Sequence, residues 1–157
     1  MAANNTSKAW GNASIAIKKI VKNTVDGVNK EVSSRAYRAS NELRNASLRV
    51  LSGHRSGRTY RVPYTKRTYI ASAPGESPAN RTGVFRLSWG THIHVEKTGT
   101  TFKAVSAIES NVMAKGELLG EMLEHGTSRM KPRPYKQKVR DMAMPKIKEI
   151  YDRPYKL

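Results

Sequence analysis

The chain contains no cysteine, which excludes a disulfide framework and any thiolate-held metal site. No apolar run approaches the ~20 residues that a bilayer span requires, and the N-terminus lacks an apolar signal-peptide core. A soluble protein suited to a reducing compartment is therefore expected. Acidic residues are scarce, with 12 Asp and Glu against 29 Lys and Arg. Carboxylates so few and scattered form no apparent acid–base pair. The sequence has no P-loop and no Gly-x-Gly-x-x-Gly, which leaves nucleotide hydrolysis without support. No serine or threonine lies in a nucleophile-elbow context. Helix-turn-helix, zinc-finger and RNP-type signatures are missing as well. These absences speak against an enzyme and against the familiar nucleic-acid modules.

What is present is charge. A net charge of +17 on 157 residues is costly in self-repulsion and implies an anionic counterpart, either nucleic acid or an acidic protein surface. A basic surface that serves only solubility is the plainer alternative. The length predicts one domain that buries roughly 70% of its extended-chain surface, and the mean hydropathy of -0.64 places it on the polar side of globular.

Residues 1 to 13 are mostly Ala, Asn, Ser and Thr with little periodicity and read as a mobile N-terminal arm. Residues 14 to 157 read as a single α+β domain. From Ile17 apolar residues recur at Val21, Val25, Val28, Val32, Ala36, Ala39, Leu43, Ala46 and Val50. Their steps of three and four predict one long amphipathic helix, capped near Ser14 and stopped near Ser52-Gly53. Its seam suits docking on the sheet of its own subunit, with a coiled-coil contact as the alternative. The face assigned to the other side carries Lys18, Lys19, Lys22, Lys30, Arg35, Arg38, Arg44 and Arg49. Of these, Lys18, Lys19, Lys22, Arg35, Arg38 and Arg49 are candidates to face DNA or an acidic partner.

Two hairpins follow, near 58–72 and 92–108, the second turning at Thr98-Gly99-Thr100. A short helical turn capped at Thr82 carries Val84, Phe85, Leu87 and Trp89, an apolar cluster suited to closing one end of the core. A short helix is expected at 117–124. A C-terminal helix is expected from about Pro134 to Asp152, kinked or split at Pro145. The architecture expected is α+β, with the N- and C-terminal helices on one face of a roughly four-stranded antiparallel sheet.

Two groupings invite chemistry. His92, His94 and Glu96 alternate on one strand and so share a face, a spacing that could hold zinc. The alternation with Ile93 and Val95 is equally explained by a solvent face opposite a core face, and no metal or other cofactor is expected. The second grouping is Arg129-Met130-Lys131-Pro132-Arg133-Pro134-Tyr135-Lys136, the most basic loop of the chain. Cations interleaved with prolines and an aromatic suit a phosphate backbone or the acidic rim of a neighbouring subunit.

That loop belongs to an ordered set of three motifs: Ser72-Ala73-Pro74-Gly75-Glu76-Ser77-Pro78-Ala79, then Thr82-Gly83-Val84-Phe85-Arg86-Leu87-Ser88, then Glu124-His125-Gly126-Thr127-Ser128-Arg129-Met130 with Pro132-Arg133-Pro134-Tyr135 behind it. In order and spacing they resemble the tail-component family of tailed-phage necks, the gene-product-ten family of the HK-type lambdoid phages, over about residues 14 to 152. His125 stands where that family usually has an aromatic. The resemblance implies a non-catalytic virion protein of the neck, a tail-completion or head–tail joining ring that links the DNA-filled head to the tail and is assembled in the host cytoplasm. Six copies are expected, with twelve as the alternative, and a ring requires head-to-tail interfaces that close by rotation. Flanking partners would be a head-closure or adaptor ring, a tail terminator or tail tube, and the packaged DNA; no membrane is involved. The interface candidates are Glu124, His125, Gly126, Thr127, Arg129, Lys131, Pro132, Arg133, Pro134 and Tyr135. A free basic nucleic-acid-binding protein is the alternative function.

Overall fold

The computed structural model describes residues 3 to 99 and 101 to 155. Its spine is helix α1, Ala3–Ser52, about 75 Å long at 1.5 Å per residue. After it come β1 (Thr59–Arg61), β2 (Thr68–Ile70), α2 (Val84–Leu87), β3 (Gly90–Thr98) and β4 (Thr101–Glu109). The chain ends with β5 (Met113–Ala114), β6 (Glu117–Leu118), α3 (Leu119–His125) and α4 (Lys136–Asp152). The class is α+β, with α1 packed against α4 and against one face of the β3–β4 ribbon.

The segment expected to be a mobile arm continues helix α1 toward the N-terminus. Of residues 1 to 13, Met1 and Ala2 lie outside the described residues, and α1 takes in the rest from Ala3. Once tertiary packing has nucleated the C-terminal half of a helix, each further residue adds a bond at little cost. No proline interrupts α1 before Ser52.

The seam is also shorter than the periodicity predicts. Val32, Ala36, Ala39, Ala46, Val50 and Leu51 are buried, whereas Ile17 and Val21 are 61% and 56% exposed. Val25 and Val28 are half-buried. Length explains the difference, because a 17-residue α4 and nine-residue strands span only about 25–30 Å. They cannot cover a spine more than twice as long, and the stripe runs on past them into solvent.

The strands form three separate two-stranded antiparallel sheets, β1–β2, β3–β4 and β5–β6, and not one four-stranded sheet. Each β1–β2 strand is three residues long and exposes Tyr60 and Ile70, so it offers no continuous apolar face to extend the ribbon. In β3–β4, Thr91, Ile93 and Val95 pair with Ile108, Ser106 and Ala104 on the face toward α1. Ser106 Oγ donates to the Ala36 carbonyl at 2.8 Å, fastening ribbon to spine. Thr100, expected in a turn with Thr98 and Gly99, lies outside the described residues.

Helix α4 passes through Pro145 without being split. Proline cannot donate to the carbonyl of Asp141, but both residues are exposed, so the lost bond is not one buried in the core. The main core joins α1 and α4 through Ala46, Val50, Leu51, Tyr135, Val139 and Ala143, with Leu43, Phe85, Trp89, Ile108, Leu123 and Ile147 packed around it. No helix among the described residues is long and apolar enough to cross a membrane.

Burial predicts opposite outcomes along a single stripe. Ala39→Asp, at a position 1% exposed, should cost about 3 kcal/mol or more because the carboxylate has no partner. Ile17→Asp should stay within about 0.5 kcal/mol of wild type. Urea unfolding curves that show equal losses would contradict the short seam.

Candidate functional site

The three motif segments fold onto one another. In the first, the Glu76 carboxylate accepts from Ser56 Oγ at 2.7 Å, the Ala73 N–H at 2.8 Å and the Ser56 N–H at 3.2 Å. These bonds, led by the Ser56 hydroxyl, hold its carboxyl down at about 2. The first segment then meets the third: Gly75 N–H donates to the Pro132 carbonyl at 3.3 Å, and Ser77 Oγ to the Pro134 carbonyl at 3.3 Å. Arg133 reaches back to the carbonyls of Ser72 and Ala73, and Lys138 Nζ to that of Gly75 at 3.1 Å.

Within the third segment, Thr127 and Met130 close a tight turn by donating to each other's carbonyls at 2.8 and 3.2 Å. Gly126 launches it at φ 79°, and a Cβ there would lie 2.6 Å from the Met130 carbonyl oxygen. Only glycine fits that position. The turn holds Ser128 and Arg129 at its exposed tip.

This packing sorts the ten interface candidates. His125, Thr127, Arg129, Lys131 and Pro132 are exposed, while Gly126 and Pro134 are half-buried. His125 Nε2 lies 3.2 Å from a Glu121 carboxylate oxygen, one turn back on α3. Three candidates do internal work and are not free for a partner. Tyr135 is 2% exposed in the core, with its ring edge-to-face against Phe85 and Trp89. Burial, together with the Glu124 charge, pushes its phenol well above its usual range. Glu124 accepts from the Tyr135 and Lys136 N–H groups at 2.9 and 3.2 Å, serving the otherwise unpaired donors at the start of α4. Arg133 is spent on the first segment, as above.

The basic candidates on α1 divide as well. Arg35 does not face outward. It is 1% exposed and donates to the carbonyls of Tyr151, Arg153 and Pro154 at 3.2, 2.6 and 2.7 Å. Its Nε bonds Glu31 at 2.9 Å, and its guanidinium stacks 3.9 Å from the Tyr155 ring centroid. It fastens the segment after α4 to the spine. Lys18, Lys19, Lys22, Arg38 and Arg49 are exposed, with Arg38 3.6 Å from Glu31. Lys22 and Arg49 stand about 40 Å apart along the helix, so these cations form no single patch.

Arg55, which the sequence pattern did not single out, is buried and closes the C-terminus of α1. It donates to the carbonyls of Val50, Gly53, His54 and Pro78 at 2.7 to 3.2 Å, and burial lowers its pKa. His92 lies 2.8 Å from Glu109 and His94 3.0 Å from Glu96, all four exposed. Each histidine thus has its own carboxylate, and no cluster of three potential metal ligands occurs among the described residues. What the geometry builds is a stiff double loop with an exposed cationic tip. Comparison with family models, curated proteins and solved structures finds no match to this chain.

Two outcomes test the internal bonds. Arg35→Ala should destabilise by about 2–4 kcal/mol, because charged hydrogen bonds and a buried stack are lost together, as read by thermal or urea unfolding. The Glu76 carboxyl is held below its ordinary value of about 4.5. Its stabilisation is therefore complete above about pH 4.5 and is lost as pH falls through about 2. Glu76→Gln should flatten the stability–pH curve in that window, and a curve parallel to wild type would contradict the cluster.

Proposed function

We propose that this chain is a non-catalytic structural protein of the tailed-phage neck, a ring-forming tail-completion or head–tail joining component of the virion. The observation that carries the proposal is the locking of the 72–78 and 130–134 segments into one unit by Arg133 and by the bonds from Gly75 and Ser77. These are the segments on which the family resemblance rests. Rigid loops lose little conformational entropy on docking and so suit interfaces that form in a fixed order. The exposed face of that unit carries Arg129 and Lys131, which have no ion pair among the described residues. Beyond the cover of α4 and the ribbon, α1 offers a basic arm long enough to bridge neighbouring subunits. Six copies in a closed ring remain our expectation for the assembly, between neighbouring neck and tail proteins and beside the packaged DNA.

Binding of duplex DNA by the free protein is the second reading, and the uncovered stretch of α1 favours it. There Lys18, Lys19, Lys22 and Lys30 are exposed with Asp26 as the one acid in between. Steeply salt-dependent DNA binding by the monomer would support that role.

Arg129→Glu with Lys131→Glu should leave the monomer folded, since both side chains are exposed and need no buried partner. The same pair should block the joining of heads to tails, because the new carboxylates would face an acidic partner. Complementation of a phage lacking this gene, with electron microscopy of the particles, checks it. Normal plaque yield and joined particles would reduce the loop to a turn.

A further inference from the structure

The same motif segments also enclose a groove of about 450 Å³ between the end of β2, α2, α3 and the Met130 turn, within the usual range of ligand pockets. Its apolar lining includes Phe85, Leu119, Leu123 and Met130, and Arg81 and Arg86 add guanidinium groups. No carboxylate lines it among the described residues. Arg86 donates from Nη1 to the neutral Ser52 hydroxyl at 3.0 Å. Its Nε is buried with no acceptor, which is a costly state for a charged donor. Arg81 is exposed and forms no ion pair among the described residues. At the mouth, Val84 is 58% exposed.

We propose that this groove binds an acidic peptide segment of a different protein, one that inserts an apolar side chain and sets a carboxylate against Arg86 and Arg81. An apolar floor under unpaired guanidinium groups fits that combination and no simpler one. A free anion would leave the floor unfilled, and a neutral apolar segment would leave the Arg81 and Arg86 guanidiniums without a counter-charge. Nucleic acid fits less well, because the aromatic Phe85 is already engaged edge-to-face with Trp89 and Tyr135. Nor does a second copy supply the segment. The acidic–apolar stretch of this chain, residues 117 to 124, is folded into β6 and α3. Its Glu121 is bound to Lys136 at 2.6 Å, and its Glu124 caps α4. Naming the partner as a neighbouring virion protein rests on the assembly reading above, but the groove chemistry can be tested apart from it.

The test uses the full chain and a fluorescein-labelled, end-blocked peptide in which Glu alternates with Leu and Phe, read by anisotropy. Its Gln-for-Glu counterpart and a short single-stranded oligonucleotide serve as competitors. The acidic peptide should bind, and the Gln counterpart should bind at least about tenfold more weakly, as expected for a desolvated charge pair. Arg86→Gln should weaken binding by a similar factor. Arg81→Glu and Val84→Ser, at exposed positions that cannot unfold the protein, should each weaken it with the circular dichroism unchanged. The proposal is overturned if the peptide does not bind or if Glu and Gln versions bind alike. Indifference to Arg81→Glu and Val84→Ser would overturn it too. Displacement by the oligonucleotide would reassign the groove to nucleic acid, and displacement by self-association would reassign it to a second copy. If peptide binding fails while heads and tails still join, the groove proposal falls and the neck reading stands.

Discussion

Tyr135 sits where the structure converges. Its ring lies 5.6 Å from Phe85 and 5.8 Å from Trp89, both edge-to-face, and its neighbours in the core come from α1 and α4. Gly120 in α3 approaches so closely that a Cβ there would stand 2.8 Å from the tyrosine hydroxyl. The Tyr135 amide is bound by Glu124 from the end of α3. One residue thereby fixes α2, α3 and α4 against the spine. Aromatic contacts of this kind contribute about 0.5–1.5 kcal/mol each beyond area burial. A small core with few large side chains relies on them heavily. The 124–135 loop is rigid because its last residue is anchored in this way, with Arg133 and Pro134 drawn against the 72–78 segment just before the anchor.

Much of this was legible in the residues. The three-and-four spacing from Ile17 marks α1, Ser52-Gly53 marks its end, and the β3–β4 alternation places His92, His94 and Glu96 on the outer face. What the spacing could not reveal was how far the rest of the chain reaches. Periodicity reports which face is apolar and says nothing about whether a second element is long enough to cover it, so Ile17 and Val28 look the same as Val32. Arg35 was misplaced for a different reason. It follows Val32 by three residues and precedes Ala39 by four, so it lies on the seam, and its charge drew it to the solvent face by residue type alone. Arg133 and Tyr135 were hidden by distance in sequence. Their partners at Ser72, Ala73, Phe85 and Trp89 lie some fifty or sixty residues away, and no local pattern announces such contacts.

The uneven cover of α1 shapes how charge is used. Along the packed half, cations are drawn into structure: Arg35 holds the segment after α4, Arg44 donates to the Trp89 carbonyl at 2.9 Å, and Arg55 closes the helix end. These guanidiniums meet backbone carbonyls more than carboxylates, which fits a chain with so few acids to pair. A planar fork with five donors satisfies several carbonyls at once, where a lysine would satisfy fewer. On the uncovered half Lys18, Lys19, Lys22 and Lys30 stay in solvent. The net charge of +17 is thus partly structural arginine, inaccessible to any partner, and partly free surface charge.

That division bears on what an anionic partner could recognise. Counting basic residues overstates the electrostatic surface, because Arg35, Arg55 and Arg133 are consumed in the fold. What remains accessible is spread over several elements: Lys18, Lys19, Lys22 and Lys30 of the projecting helix, Arg58, Arg61, Lys66 and Arg67 about the β1–β2 hairpin, Arg140 and Lys148 on α4, the Arg129–Lys131 tip, and Arg81 beside the groove. Charges tens of ångströms apart are screened from one another at physiological salt, where the Debye length is about 8 Å. Each place therefore acts on a nearby anion locally. Such separated cationic places suit the assembly proposed above, in which one subunit would touch several neighbours.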